Sequence, residues 1–187
     1  MDLYESQAPL SHARVDRETA MRRATPGDFD AVLEVVRDSS RRMQEKGLSQ
    51  WKLYLTDVGV ERVRTRVGGA SGQEVYLARR DAGDRAVGAV SIEWADREYW
   101  GARGIDGRAG YIHMLAVHRL ARGTGLGERI VRWAEQLIVV RGRRFARLDC
   151  WAASAFLPAY YERLGYICVD RVGGPNGSCL FEKEVTG

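Results

Sequence analysis

The stretch Arg122-Gly123-Thr124-Gly125-Leu126-Gly127 decides how this chain of 187 residues folds. Its glycines lack a Cβ atom, so the backbone can turn sharply there and approach a ligand closely. An apolar run, 111–117, precedes the stretch, and apolar residues at helical spacing follow it up to Gly142. The pattern predicts a strand, a tight turn and a long helix, in that order.

A helix that begins directly after a glycine turn offers a site for an anion. The amide N–H groups of its first turn have no partner within the helix, and the positive end of the helix dipole lies at the same place. Arg122 adds a full positive charge beside the turn. These features favour a phosphate or pyrophosphate ligand, although a tight turn that only connects two elements uses the same glycines.

Two common phosphate-binding motifs do not fit the stretch. A dinucleotide-binding Gly-x-Gly-x-x-Gly that begins at Gly123 needs a glycine at position 128, where the chain has Glu128. A P-loop ends in Gly-Lys-Ser or Gly-Lys-Thr, and no lysine lies near the turn. The turn therefore belongs to neither class.

Strands and helices alternate on both sides of the turn, which predicts one α/β domain of the α+β type with a mixed sheet. Residues 1–17 are polar and aperiodic, so they are predicted to form a loose extension before a single domain, 18–187. A polar loop is predicted for 96–110. The other predicted strands are 19–24, 74–79, 86–93, 145–151, 167–172 and 179–184, and the other predicted helices begin at Pro26, Val58 and Ser154.

Composition excludes several classes of protein. The chain has no apolar run long enough for a membrane span and no signal peptide, which predicts a cytoplasmic protein without a membrane partner. Its three cysteines share no metal-binding spacing with the histidines, so no metal is expected. Eight arginines and two acids lie between Arg119 and Arg147, but no nucleic-acid docking motif accompanies them, so no nucleic-acid partner is predicted.

Two motifs in the right order resemble the signatures of the GNAT acetyltransferases. The first, Arg/Gln-x-x-Gly-x-Gly/Ala, is matched by Arg122, Gly125 and Gly127, after a strand that ends in 115–117. The second is matched by the strand end 148–151 and by Tyr161-Glu162-Arg163-Leu164-Gly165-Tyr166. The resemblance covers 86–166. It implies a single-domain GNAT fold, with a mixed, mostly antiparallel sheet, one splayed parallel pair and helices on both faces.

The resemblance also implies a function: an N-acetyltransferase, in which an amine directly attacks acetyl-CoA, the co-substrate, within a ternary complex. Where Ser154 stands, many members have an asparagine that bonds the pantetheine arm of CoA. The serine either keeps one such hydrogen bond or only caps a helix, and Pro158 is a second departure from the family. The implied cofactor-binding residues are Leu115, Ala116, Val117, Arg122, Gly123, Thr124, Gly125, Leu126, Gly127 and Ser154.

Tyr161 matches the family tyrosine that protonates the departing CoA thiolate. It shares a helical face with core leucines, so a packing role stays open, and Tyr160 is the adjacent alternative. A general base for the acceptor amine is expected at His113 or at Glu93, and the choice between them stays open.

Trp51 and Trp94 are the candidate walls of the acceptor pocket, although a tryptophan in such a loop also serves as a buried anchor. A small-molecule amine is favoured over a protein as the acceptor, and the sequence does not name it. Dimers are common in the family, so a homodimer is compatible with the resemblance. The alternative function is a non-catalytic module that senses acyl-CoA, which would need the turn but not Tyr161.

Overall fold

A computed structural model describes residues 13–48, 51–69, 72–81, 84–174 and 177–186. The described residues form seven strands and five helices. The strands are β1 Thr19–Arg23, β2 Glu74–Arg80, β3 Arg85–Glu93, β4 Ala109–Val117, β5 Phe145–Trp151, β6 Ile167–Val172 and β7 Ser178–Glu184. The helices are α1 Phe29–Glu45, α2 Asp57–Val67, α3 Arg97–Trp100, α4 Leu126–Val140 and α5 Leu157–Arg163.

The strands form one sheet in the order β1-β2-β3-β4-β5-β7-β6. β4 and β5 run parallel, in a register that extends from Ala109 opposite Phe145 to Ile112 opposite Leu148. A parallel pair requires a long crossover, and α4 supplies it. The pairs β1–β2, β5–β7 and β6–β7 are antiparallel. The predicted mixed, mostly antiparallel sheet with one parallel pair is confirmed.

The chain divides into two compact units. The first unit holds the described residues up to Ser91 together with Met114–Trp133. The second holds Ile92–His113 and the described residues from Ala134 onward.

In the first unit, β2 buries side chains on both of its faces. Val75 and Leu77 join one apolar cluster with residues of α1 and α2. Tyr76, which alternation directs to the opposite face, packs its ring 4.7 Å from that of Trp133 on α4. Helices therefore cover both faces of the sheet within this unit, which explains why β2 is apolar without alternation.

In the second unit, the buried Arg147 of β5 ties the segment after β3 to the sheet. Its side chain donates to Glu182 Oε2 at 2.7 Å, to the Tyr111 hydroxyl at 2.9 Å and to the Arg103 carbonyl at 2.6 Å. Its guanidinium also lies over the Trp100 ring, 5.0 Å from the centroid. The prediction of a loop over 96–110 is wrong in part, because this anchor holds α3 and a 3-10 turn, Gly101–Ile105.

Residues 13–17 are the described part of the predicted N-terminal extension; 1–12 lie outside the described residues. Arg14 forms a bridge with Ala20 of β1, and the Met21 N–H donates to the Ala13 carbonyl at 2.9 Å. Asp16 pairs with Arg129 of α4 at 2.9 Å. The domain limits stay a prediction, but these contacts attach 13–17 to the first unit.

Candidate functional site

The glycine turn and the start of α4 lie in the first unit. Gly123 and Gly125 have φ angles of +74° and +77°, which residues with a Cβ atom rarely adopt. The helix begins at Leu126, and its first backbone bond runs from the Arg129 N–H to the Gly125 carbonyl at 3.2 Å. The preceding amides therefore lie at the open, positive end of the helix dipole.

Internal hydrogen bonds hold the turn in place. The Thr124 hydroxyl donates to the Ala121 carbonyl at 2.8 Å, and Arg129 Nη1 donates to the Thr124 carbonyl at 2.7 Å. Leu126 is buried, whereas 122–125 are exposed. The hydrogen bonds therefore fix the turn, and its outer backbone is exposed to solvent, which is the arrangement that an anion site needs.

Arg119 and Arg122 precede the glycines of the turn, and their charges act on a third arginine, Arg42 of α1. Burial lowers the pKa of Arg42; Asp38 opposes this decrease, and the charges of Arg122 and Arg119 lower the pKa further. Arg122 is exposed and directly precedes Gly123. The positive charges therefore repel one another, and a bound phosphate would relieve that repulsion.

The C-terminal half of β4, also in the first unit, contains a backbone irregularity. Met114 has a φ of +50°, a left-handed conformation that is rare outside glycine and is found at strand bulges. Met114 and Ala116 are buried in the apolar cluster, whereas Leu115 and Val117 are half-buried. Sequence reasoning missed Met114, because nothing marks a methionine for this conformation.

Tyr161 lies on α5 in the second unit, where 8 % of its surface is exposed. Its ring packs 5.9 Å from that of Phe181 and 6.0 Å from that of Tyr166. Burial raises the pKa of Tyr161, and the charges of Tyr160, Cys150 and Asp149 raise it further. The phenol is therefore neutral at physiological pH and holds a proton that it can donate.

Ser154 precedes α5 and caps its start. Its hydroxyl oxygen accepts from the backbone N–H groups of Phe156 at 3.3 Å and Leu157 at 3.1 Å. Pro158 stands in the first turn, where it needs no N–H partner. The prediction that this helix begins at Ser154 is therefore wrong by three residues. The helix begins at Leu157, and Ser154 caps it with its side chain instead of joining it with its backbone.

His113, the last residue of β4 in the second unit, lies between two carboxylates. Its Nε2 is 3.3 Å from Asp96 Oδ2, and its Nδ1 is 3.8 Å from Asp149 Oδ1. Sequence reasoning did not name either aspartate. Asp149 could have been found from the pairing of the two strands. The parallel register that places Ile112 opposite Leu148 also brings the next residues, His113 and Asp149, close together. Glu93 ends β3 and is half-buried.

The two tryptophans named as pocket walls have other neighbours. Trp51, half-buried, packs on the apolar cluster of the first unit, with its ring 5.2 Å from that of Tyr54. Trp94, in the second unit, carries the guanidinium of Arg141 5.2 Å from its ring centroid. Both rings are thus engaged with protein groups, and their role toward an acceptor stays a prediction.

The candidate residues therefore fall into two groups. The turn 122–127 and the residues 115–117 lie in the first unit, and Glu93, Trp94, His113, Ser154 and Tyr161 lie in the second. Over the part of the chain that the structure describes, no helix has the length and apolarity for crossing a membrane. The same described residues contain no group of three or more His, Cys, Asp or Glu side chains placed to hold a metal ion.

The model of the acetyltransferase (GNAT) domain family matches residues 71–168, more than half of the chain. This chain belongs to the GNAT family. A relative from Bacillus subtilis (strain 168), the uncharacterized N-acetyltransferase YesJ, is 31% identical over 162 residues, which cover 85% of this chain and 86% of YesJ. The residues that the family model matches, 71–168, include both signatures, so the resemblance that the two motifs indicated is confirmed.

Solved structures of GNAT proteins have the same fold. A GNAT acetyltransferase from Listeria monocytogenes 4b F2365 superposes with a TM-score of 0.72 at 27% identity, covering 89% of this chain and 95% of that one. The PaiA N-acetyltransferase of Thermoplasma acidophilum, solved in complex with coenzyme A, gives a TM-score of 0.68 at 14% identity, with 89% and 98% covered. At that identity, the second likeness concerns the fold alone.

Proposed function

We propose that this GNAT protein is an acetyl-CoA-dependent N-acetyltransferase, in which an amine attacks the thioester directly within a ternary complex. The observation that carries the proposal is the turn 122–127, which joins the arginine and glycines of the family signature to the positive end of α4. No covalent acetyl-enzyme forms, because the amine itself is the nucleophile.

The proposed cofactor contacts follow from the chemistry of each group. The pyrophosphate of acetyl-CoA accepts hydrogen bonds from the amides of Gly123 to Gly127 and pairs with Arg122. The pantetheine arm runs beside 115–117, where a backbone N–H stabilises the oxyanion of the tetrahedral intermediate. The oxygen of Ser154 already accepts from two amides, so its O–H proton is the part that it can offer to pantetheine.

Tyr161 is the proposed general acid for the CoA thiolate. A phenol is protonated at neutral pH, as an acid must be before it acts, although burial raises the pKa of Tyr161 and makes it a weaker acid than an ordinary phenol. Tyr160, the alternative, is more exposed and stacks on Phe156, with the ring centroids 5.5 Å apart.

The proposed acceptor is a small-molecule amine rather than a protein, and Trp51 and Trp94 are the proposed walls of its pocket. The guanidinium groups of Arg141 and Arg143 already lie 5.2 Å and 6.0 Å from the Trp94 ring centroid, so this ring is proposed to contact an apolar part of the acceptor.

The first test is calorimetric titration of the protein with acetyl-CoA, beside the variants Arg122→Ala and Arg62→Ala. Both remove one exposed arginine of the first unit, but only Arg122 borders the turn. We expect acetyl-CoA to bind the wild type and the Arg62 variant and to bind the Arg122 variant more weakly. Equal loss in both variants would mean that the turn is not the phosphate site, and absence of binding to the wild type would contradict the function.

The second test separates an enzyme from a non-catalytic acyl-CoA sensor. A panel of primary amines is screened for release of free CoA thiol, and Tyr161→Phe is compared with Tyr160→Phe. We expect Tyr161→Phe to lower kcat while acetyl-CoA binding persists. A greater loss in Tyr160→Phe would move the acid to that residue, whereas binding without thiol release from any amine would favour the sensor.

A further inference from the structure

His113 lies between two acidic side chains that come from different elements. Asp96 stands at the N-terminal end of α3, and Asp149 lies on β5. Their Oδ atoms are 3.3 Å and 3.8 Å from the two ring nitrogens of His113. All three side chains are largely buried: 11 % of His113, 5 % of Asp96 and 17 % of Asp149 is exposed.

Each carboxylate is fixed by the fold independently of the imidazole. Asp96 Oδ1 accepts from the Tyr99 N–H at 3.1 Å, and the Asp96 N–H donates to the Gly104 carbonyl at 2.8 Å. Asp149 Oδ2 accepts from the Ser178 hydroxyl at 3.0 Å. The second oxygen of each carboxylate is the one nearer the ring, so both negative charges are held in place before any ligand arrives.

The two nitrogens of a neutral imidazole have different roles. A neutral imidazole offers one N–H donor and one lone pair, so only one of its two nitrogens can donate to a carboxylate. The other nitrogen keeps its lone pair, which can accept a proton from an acceptor amine.

We propose that His113 is the general base of this enzyme, and that Asp96 and Asp149 are its positioning residues, which orient the ring and stabilise the imidazolium formed when the acceptor gives up a proton. The inference rests on the proposed acetyltransferase function. It chooses His113 over Glu93 and assigns a role to two residues, Asp96 and Asp149, to which the family resemblance gave none.

The protons balance as follows. The acceptor ammonium loses two protons on its way to the amide: the first passes to His113 and then to solvent, which leaves an amine lone pair for attack on the acetyl carbon. The C–S bond breaks as the tetrahedral intermediate collapses, and the Tyr161 hydroxyl protonates the thiolate. The second nitrogen proton restores the Tyr161 phenol. Asp149 acts on both groups, because its charge also raises the pKa of Tyr161.

The test compares His113→Gln, Asp96→Asn and Asp149→Asn with Glu98→Gln, which removes an exposed carboxylate from the same short helix, α3. Asparagine keeps the oxygen that accepts from Tyr99 or Ser178 and removes the charge. We expect kcat to fall about a hundredfold in His113→Gln, the low end of what a general base contributes, and about tenfold in each asparagine variant. KM for acetyl-CoA and the activity of Glu98→Gln should not change.

Two further readouts distinguish positioning from structural support. In a His113→Gln background, Asp96→Asn and Asp149→Asn should lower kcat no further, because the group through which they act is gone. In ¹⁵N NMR spectra assigned with His113→Gln, the ring nitrogens of His113 should shift in both asparagine variants and not in Glu98→Gln. The NMR readout needs no acceptor.

The outcomes separate this inference from the function on which it rests. Failure of acetyl-CoA to bind the wild type would remove the function, whatever the state of His113. Normal binding and turnover with an unchanged kcat in His113→Gln would overturn His113 as the base. A large loss in His113→Gln, with unchanged kcat and unchanged NMR spectra in both asparagine variants, would overturn the positioning role.

Discussion

Asp38 of α1 accepts two hydrogen bonds from Arg119, one from the backbone N–H at 2.8 Å and one from the side-chain Nε. The pair fixes the 3-10 turn Arg119–Ala121, which leads directly into Arg122. Burial acts to raise the pKa of Asp38, but the hydrogen bonds from Arg119 and the charges of His118 and Arg119 lower it below its ordinary value of 3.8. The proposed phosphate site therefore depends on a carboxylate in a helix that the family signatures do not include.

We expect Asp38→Asn to lower the free energy of unfolding by about 1–3 kcal/mol, because a buried charge-assisted hydrogen bond is lost. Acetyl-CoA affinity should fall with it, since Arg122 is less firmly held. Urea denaturation and calorimetry at neutral pH measure both effects, with the exposed Asp30 of the same helix changed to asparagine as the control.

The pH dependence of this difference follows from the sign of the shift. A carboxylate whose pKa is depressed on folding contributes stability above its unfolded pKa, and that stability is lost as pH falls through the lower, folded value. The wild type and Asp38→Asn should therefore converge in stability as pH drops below about 4. A constant difference down to the acid limit would mean that the charge of Asp38 does not matter.

Arg129 supports the turn from inside α4, since it donates to both the Thr124 carbonyl and Asp16. Thr124, Arg129 and Asp16 also line a cavity of about 360 Å³, so little packing would replace the lost bonds. We expect Arg129→Met to weaken acetyl-CoA binding about fivefold, the equivalent of roughly 1 kcal/mol. Arg132→Met, which removes an exposed arginine that pairs with Glu128 one turn earlier in the same helix, should bind as the wild type does in the same titration.

Much of the fold could be predicted from periodicity, because its larger elements are set by local patterns. The predicted limits of β5, 145–151, and of β6, 167–172, are those observed. The start of α5 was missed because a serine side chain replaces the first helical turn in bonding the amides. α3 was missed because it has four residues and is held by Arg147, a contact across the sheet that no local pattern reports.

The candidate site, too, could be predicted only where its residues are neighbours in the sequence. The turn 122–127 is a continuous motif, and the left-handed φ angles of Gly123 and Gly125 are ones that a glycine in the sequence allows. The partners of His113 come from α3 and β5, and Met114 has a left-handed angle without being glycine. Such features depend on tertiary packing, so no single stretch of sequence contains them.

Arg147 is a buried, positively charged residue that we expect to stabilise the second unit. We expect Arg147→Met to lower the free energy of unfolding by about 1–3 kcal/mol, because Glu182 loses one of its two arginine partners and keeps the other, Arg103, at 3.0 Å. The double variant Arg147→Met, Glu182→Gln should recover part of that loss, since the carboxylate that lost Arg147 is then replaced by a neutral amide. Denaturant unfolding of the three proteins measures this, and a double variant no more stable than the single one would mean that the loss arises from the ring contacts of Arg147 instead.

Gly104 links the loop after β3 to the proposed base. A Cβ atom at Gly104 would lie 1.9 Å from the Asp96 carbonyl oxygen, too close for any contact, so the backbone beside Asp96 must move. We expect Gly104→Ala to lower both the melting temperature and kcat, because Asp96 shifts away from His113. The matched control is Gly107→Ala, whose left-handed φ of +70° costs about 1 kcal/mol of strain but whose Cβ meets only the flexible end of Arg143. It should lower stability and leave kcat unchanged; an equal loss of kcat in the two variants would show that general loosening of the loop, not displacement of Asp96, reduces activity.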